Sequence, residues 1–113
     1  MRPEVRKYLF DMEQAARLIA RFTKDRSFAD YEADPMLRSA VERQFEVIGE
    51  ALSQMARLDA TSADRISERP RIIAFRNILA HGYAQVDDRL VWDVVESKLP
   101  MLQKEVAALL QEG

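Results

Sequence analysis

Apolar residues recur every three or four positions through much of this chain, which is the spacing of one face of an α-helix. The first such segment opens at Pro3 and the second at Asp34-Pro35, a pair typical of a helix cap followed by a first-turn proline. The second helix is predicted to reach about Leu58. Its apolar stripe consists of Leu37, Val41, Ile48, Leu52 and Met55, and that of the first helix of Val5, Leu9, Met12, Ala16 and Ile19.

Between these two helices the polar residues predict a loop, whose apolar Phe28 and Tyr31 can dock on the rest of the fold. Gly49 lies in the middle of the second helix, where glycine costs roughly 1 kcal/mol relative to alanine. A glycine there indicates the close approach of another helix, from this chain or from a second copy.

Two further helices are predicted in the second half of the chain. Pro70 can begin the third, and Gly82 is typical of the position just past a helix end. Asp87 or Asp88 caps the fourth. Their apolar positions are Ile72, Ile73, Phe75, Ile78 and Leu79 in the third, and Leu90, Val91, Val94, Val95, Leu99, Leu102, Val106 and Leu109 in the fourth. Pro100 lacks a backbone donor, so it should kink or split the fourth helix near Glu96–Leu99.

The chain contains only three glycines and four prolines, which argues against a turn-rich β protein. Its 113 residues are near the common size of one domain, so residues 1–113 are predicted to form a single domain. The sequence therefore predicts an all-α fold, an up-down bundle of four helices with short connections.

Composition limits the chemistry that this domain can perform. The absence of cysteine excludes disulfides and thiolate metal sites, and a single histidine excludes a multi-histidine zinc site within one chain. No apolar run approaches the roughly 20 residues of a membrane-spanning helix. The charged N-terminus predicts no signal peptide, and we expect a cytoplasmic protein without a membrane partner.

The net charge of −2 means that any RNA must bind through a local basic patch rather than the field of the whole surface. Arg69 and Arg71, with Arg89 further along the chain, are the best candidates for such a patch, with ordinary solvated charges as the alternative.

The segment from Arg76 to Tyr83 contains the only histidine of the chain, His81. Histidine titrates near neutral pH and can transfer protons, while arginine binds phosphate through a planar fork of donors. Together they can cleave a phosphodiester without a metal. The alternative is structural, because a histidine in the last turn of a helix is favoured by the helix dipole alone.

The pattern Arg-x4-His-x-Tyr at Arg76–Tyr83 follows a helix with the block Gln44–Glu50, and the chain opens on Arg6–Met12. In these motifs the chain resembles the HepT toxins of the HEPN superfamily, small helical ribonucleases encoded beside a minimal nucleotidyltransferase antitoxin of the MntA type. The resemblance covers nearly the whole chain. It implies the toxin of a type VII toxin–antitoxin system, a metal-independent endoribonuclease that needs no cofactor and acts on tRNA or mRNA.

Helix geometry places Arg76 and His81 about 140° apart, but Asn77 and His81 only about 40° apart. Either the helix ends at Ala80–Gly82 and His81 swings out on a turn, or the site is shared across a two-fold axis. HEPN ribonucleases resemble the second case, so we predict a homodimer with a composite cleft. There His81 would move a proton, Arg76 would stabilise phosphoryl charge, and Asn77 would orient His81 or bind phosphate.

By the same resemblance, the partner nucleotidyltransferase attaches AMP to Tyr83 and so blocks the cleft. The alternative is that Tyr83 packs on the bundle with its hydroxyl solvated. A rival function is a non-catalytic helical module that binds a nucleotidyltransferase and presents its substrate.

The second helix carries Glu42, Glu46 and Glu50 at intervals of four. Like charges at this spacing are mildly unfavourable, so a cation can be expected opposite them: Arg38, Arg43, Arg76 or a partner residue. The alternative is a solvated acidic face.

Overall fold

The computed structural model describes residues 1–81 and 86–112, and the regular structure in those ranges is entirely helical. The helices are α1 (Pro3–Thr23), α2 (Phe28–Ala33), α3 (Pro35–Leu58), α4 (Ala60–Ala63), α5 (Arg69–His81), α6 (Asp88–Ser97) and α7 (Leu99–Glu112). The all-α prediction is confirmed, with the four long predicted segments appearing as α1, α3, α5 and the pair α6–α7.

The start of α3 follows the predicted cap. One carboxylate oxygen of Asp34 accepts hydrogen bonds from the backbone nitrogens of Met36 and Leu37, both at 3.1 Å. Pro35 occupies the first helical position, where a missing N–H costs nothing because that group has no partner inside the helix. Local side-chain chemistry is thus sufficient to fix where this helix begins.

The predicted loop between α1 and α3 is wrong in part, because it contains the short helix α2. A capping box starts it: Ser27 Oγ accepts from the Asp30 backbone nitrogen, and the Asp30 carboxylate accepts from that of Ser27. These hydrogen bonds hold the pKa of Asp30 below its usual value. The docking of Tyr31 is confirmed, since it is buried against Trp92 with ring centroids 5.3 Å apart.

Helix α3 is the centre of the fold. It packs against α1 on one side and α5 on another, while α7 packs against α1 and α6 against α7 and α2. Every residue of the stripes predicted for α1 and α3 is buried. Helix α5 differs, because only Leu79 among its predicted apolar residues is buried and Ile78 remains 46% exposed. Across residues 1–81 and 86–112, no helix combines the length and apolar composition that a membrane crossing requires.

The predicted split in the fourth helix is present at Lys98, between α6 and α7. The backbone nitrogen of Lys98 donates to Val94 at 2.9 Å, and that of Leu102 donates to Lys98 at 3.0 Å. Pro100 lies between them and cannot donate to the carbonyl four residues earlier. The proline therefore occupies the first turn of α7, where backbone donors lack helical partners in any case.

Candidate active site

Arg76 lies where α5 comes closest to α3. A Cβ atom built on Gly49 of α3 would be 2.2 Å from Cβ and 2.7 Å from Cγ of Arg76, and 3.5 Å from the carbonyl oxygen of Ile72. Real Cβ atoms essentially never approach other atoms within 3.0 Å. The close approach predicted at Gly49 is therefore made by a helix of the same chain, and the aliphatic stem of Arg76 fills the space that a side chain would need.

The guanidinium of Arg76 is held from two sides. Its Nη2 forms an ion pair with Glu50 Oε2 at 2.8 Å, and its Nη1 donates to Asn77 Oδ1 at 3.0 Å. Glu50 is itself fixed, because its Oε1 accepts from Gln54 Nε2 at 3.0 Å. The side chain of Arg76 is still 30% exposed. The group is thus positioned by hydrogen bonds and yet accessible to an anion from solvent.

The carboxylates along α3 have the cationic neighbours that their spacing predicts. Glu46 pairs with Arg43 at 3.6 Å, and Glu50 pairs with Arg76. Burial raises the pKa of Glu42, and the negative charge of Asp88 raises it further against the opposing effect of Arg38. Protonated Glu42 therefore stabilises the folded state fully at pH values below the pKa of Glu42 in the unfolded chain. This stabilisation is lost as the pH rises through the pKa of Glu42 in the folded protein.

A polar groove of about 220 Å³ lies beside Arg76, between α1, α3 and α5. Its charged and polar walls include Tyr8, Asp11, Arg43, Glu46, Gln54 and Arg76. Sequence reasoning did not find the α1 side of this groove. The Lys7–Asp11 ion pair, at 2.9 Å and four residues apart, is visible in the sequence, but nothing there shows that it faces Arg76.

His81 belongs to α5 and is exposed. Because its backbone is helical, His81 stays on the face that helix geometry assigns to it, about 140° around the axis and about 7.5 Å along it from Arg76. The structure brings Arg76, Asn77 and Glu50 together, but within α5 it does not turn His81 toward Arg76. Helix α5 ends at His81, within the Ala80–Gly82 range of the first sequence-based alternative, and the helical position of His81 is equally compatible with the second, in which another copy of the chain completes the site.

Asn77 has a more defined place than the sequence indicated. We expected it to orient His81 or bind phosphate, and the structure adds that its Oδ1 accepts a hydrogen bond from Arg76 Nη1 at 3.0 Å. Asn77 is exposed and sits between the arginine and the histidine around the helix. Asn77 therefore helps to hold the guanidinium of Arg76 in place.

The three arginines of the predicted RNA patch all have acidic partners. Arg69 pairs with Asp64, Arg71 with Glu68 at 3.1 Å and Arg89 with Asp93 at 3.5 Å. The guanidinium of Arg89 also lies 4.7 Å from the ring centroid of Phe28. Arg69 begins α5, about 10 Å along the helix axis from Arg76. The charge of each of these arginines is therefore partly neutralised by its carboxylate partner, and the three arginines do not surround Arg76.

The predicted modification site, Tyr83, lies outside the described residues, as does Gly82.

Comparison with known proteins gives a consistent result. The family model described as ribonuclease HepT-like matches residues 12–109. The chain is 33% identical over 103 residues to a candidate RNase of Methanocaldococcus jannaschii, covering 91% of this chain and 94% of that protein. It is 30% identical over 107 residues to a candidate RNase of Caldanaerobacter subterraneus subsp. tengcongensis, covering 95% of each.

A third relative is named probable ribonuclease HepT and comes from Thermococcus cleftensis. It is 32% identical over 103 residues, which cover 91% of this chain and 93% of that protein. No solved structure was found to match the chain. The family match spans most of the sequence and includes Arg76, Asn77 and His81. The chain is therefore an enzyme of the HepT-like ribonuclease family.

Proposed function

We propose that this chain is a metal-independent endoribonuclease that cleaves RNA in a cleft shared by two copies of the protein, with Arg76 and His81 as its reactive groups. The observation that supports the proposal is the way the guanidinium of Arg76 is held. Its guanidinium is fixed by Glu50 and Asn77 but keeps access to solvent, as a preorganised phosphate-binding group requires.

The reaction needs only the RNA and these side chains. The 2′-hydroxyl attacks the adjacent phosphorus, the bond to the 5′-oxygen breaks, and the products are a 2′,3′-cyclic phosphate and a 5′-hydroxyl. One His81 accepts the proton of the 2′-hydroxyl, and the partner subunit's His81 donates a proton to the leaving 5′-oxygen. Arg76 stabilises the charge that builds on the phosphoryl oxygens. DNA lacks the attacking hydroxyl and is not a substrate in this scheme.

The geometry of α5 supports a shared cleft. A single α5 directs Arg76 and His81 to sides about 140° apart, so one chain supplies an anion-binding group without a proton-transfer group beside it. A second copy facing the same surface would supply the missing histidine. In such a homodimer each chain contributes an arginine and a histidine to one cleft.

The metal-independence of the proposal has a direct test. RNA cleavage by the purified protein is expected to continue at an unchanged rate in millimolar EDTA, because no step uses a cation. The substrate should be compared with the same oligonucleotide carrying 2′-deoxyribose at every position, which is expected to remain intact. Cleavage that stops with EDTA, or that proceeds on the deoxy substrate, would refute the mechanism.

We further propose that the chain is the toxin of a type VII toxin–antitoxin pair and that a nucleotidyltransferase neutralises it by attaching AMP to Tyr83. The support is the resemblance of Arg76–Tyr83 to the HepT motif and the place of Tyr83, two residues after His81. An attached AMP adds a phosphate that would compete with RNA for Arg76. Mass spectrometry of the protein produced with its neighbouring nucleotidyltransferase should show a mass increase on Tyr83; an unmodified tyrosine in the neutralised complex would count against this regulation.

A second candidate function is the non-catalytic module that binds a nucleotidyltransferase. The observation that favours it is the charge balance around the site: Arg69, Arg71 and Arg89 are each paired with a carboxylate, and the polar groove contains Asp11, Glu46 and Glu50. Tight binding of the nucleotidyltransferase without any RNA cleavage would support this alternative.

A further inference from the structure

The proposed reaction gives a role to only two of the residues that line the polar groove, Arg76 and Glu50. The rest of the groove is formed by α3 and by α1, which packs beside it. Its volume of about 220 Å³ is smaller than the roughly 300–1,000 Å³ of pockets that enclose a whole drug-sized ligand. The groove therefore suits one flat ring system that is attached to a larger molecule.

The charges of the groove indicate which chemical group fits it. Its walls carry three carboxylates, Asp11, Glu46 and Glu50, and two guanidinium groups, Arg43 and Arg76. The carboxylates outnumber the cations, so a phosphate is favoured at Arg76 and disfavoured in the rest of the groove. A neutral group with N–H donors is favoured there instead, and the edge of a nucleobase is such a group.

Glu46 is the carboxylate that can accept new hydrogen bonds most easily. Asp11 and Glu50 already accept side-chain hydrogen bonds, at 2.9 Å and 3.0 Å. Among the residues that the structure describes, the ion-pair partner of Glu46 is Arg43 at 3.6 Å, a distance too long for a hydrogen bond. The side chain of Glu46 is 28% exposed, so a ligand can reach its oxygens from solvent.

Guanine is the base whose edge matches Glu46 and Arg43. Its N1–H and N2–H groups are adjacent donors, which one carboxylate can accept together, and its O6 beside them can accept from a guanidinium. Adenine and cytosine place one amino donor next to a ring acceptor, and uracil has a single ring N–H between two acceptors. A carboxylate beside a guanidinium therefore selects guanine among the four bases.

The spacing along α3 connects this pair to the candidate active site. Glu46 is about one turn, or about 6 Å along the axis, from Glu50, which holds Arg76. A ribose can span the gap between a phosphate at Arg76 and a base at Glu46. Tyr8 of α1 also lines the groove and is half-buried, so its aromatic ring is available for a base to stack on.

We propose that the polar groove is a subsite for the guanine of a nucleotide next to the scissile phosphate, with Glu46 as a specificity-determining residue. Glu46 accepts from N1 and N2 of the base, Arg43 donates to O6, and Arg76 holds the attached phosphate. The inference rests on the proposed function, because it names the base beside the phosphate that is cleaved there. It also gives a reason for carboxylates in a site that binds a polyanion.

Binding of nucleoside monophosphates tests the subsite without any cleavage. The 3′- and 5′-monophosphates of guanosine, inosine and adenosine mimic the nucleotides before and after the scissile phosphate, and NMR titration gives their dissociation constants. At least one guanosine monophosphate is expected to bind about 5–150-fold more tightly than its adenosine counterpart, the usual discrimination of one bidentate base contact. Inosine lacks the N2 amino group and should bind with intermediate affinity.

Glu46→Gln should abolish the preference for guanosine over adenosine monophosphate, because an amide cannot accept from two adjacent donors. Its affinity for adenosine monophosphate should stay close to that of the parent, since Arg76 is unchanged. Glu13 of α1 provides the matched control: its side chain is also 28% exposed and pairs with Arg17 at 3.8 Å, but it does not line the groove. Glu13→Gln should keep the full preference for guanosine.

The same preference should appear in catalysis. RNA oligonucleotides that differ only in the bases flanking one cleavage site should be cleaved with a kcat/KM about 5–150-fold higher when guanine occupies the recognised side. Glu46→Gln should cleave the guanine and adenine substrates at similar rates, and Glu13→Gln should behave like the parent.

The possible results separate this inference from the function on which it rests. Binding by the parent without a preference for guanosine monophosphate, or a preference that survives in Glu46→Gln, would overturn the subsite. Cleavage by the parent that is indifferent to both flanking bases would also overturn it, and would leave the proposed function in place. A guanosine preference that depends on Glu46 in a protein that never cleaves RNA would support the subsite and refute the proposed function alone.

Discussion

Replacing His81 with alanine is expected to slow RNA cleavage by about 10²–10⁴-fold, because the cleft loses the groups that accept and donate protons. His81 is exposed, so the substitution should not affect folding. It is also the only histidine, so any imidazole-dependent limb of the parental pH–rate profile should disappear in the variant. Single-turnover cleavage rates across a pH series measure both effects. Added free imidazole should restore part of the lost rate, and parental cleavage by His81→Ala would contradict the assignment.

The same variant distinguishes a shared cleft from two independent sites. When equal amounts of parent and His81→Ala exchange subunits at random, one quarter of the dimers are fully parental and one half are mixed. If acid and base come from the two chains, mixed dimers are inactive and about a quarter of the parental activity remains. Independent sites would instead leave about half, which would contradict the division of proton transfer between subunits.

Replacing Arg76 with alanine is expected to lower cleavage by about 10²–10³-fold, the usual cost of removing a group that stabilises charge in the transition state. The loss should appear mainly in kcat rather than in KM, because the arginine acts most strongly on charge that develops during the reaction. Arg76→Lys should restore little, since an ammonium cannot make the paired contacts to Glu50 and Asn77 that fix the guanidinium. Steady-state kinetics on a defined oligonucleotide measure all three proteins.

Arg71 provides the matched control for this prediction. It is on the same helix, its side chain is 82% exposed and its ion-pair partner is Glu68. Arg71→Ala removes the same positive charge from α5 without touching Glu50 or Asn77, so its kcat should remain close to that of the parent. Equal losses in Arg71→Ala and Arg76→Ala would show that overall charge, and not the fixed guanidinium, is responsible for activity.

The features of the fold that could be predicted are those set by neighbouring residues. The cap at Asp34, the stripes of α1 and α3, and the break produced by Pro100 each depend on groups within a few positions of one another. Helix α2 was not predicted because six residues give weak periodicity, and the Tyr31–Trp92 contact that anchors it joins distant parts of the chain.

The residues of the candidate site could likewise be predicted only in part. The motif marked Arg76 and His81, and the spacing of carboxylates on α3 marked Glu50 as a partner for a cation. The sequence could not show that Asn77 is bonded to Arg76, nor that Ile78 on the apolar side of α5 remains 46% exposed. Periodicity indicates which side of a helix is apolar, but only the tertiary structure shows which residues pack against that side.

The seating of Arg76 over Gly49 also affects the entropy of ligand binding. A surface arginine has about 2 kcal/mol of rotamer entropy, much of which it loses when it closes on a phosphate. In Arg76 the first carbons of the side chain are already immobilised against α3, so much of that ordering occurs when the protein folds. When a phosphate binds, Arg76 therefore has fewer side-chain torsions to immobilise than the largely solvated Arg71. For the same charge–charge contact, the affinity for phosphate should be higher at position 76.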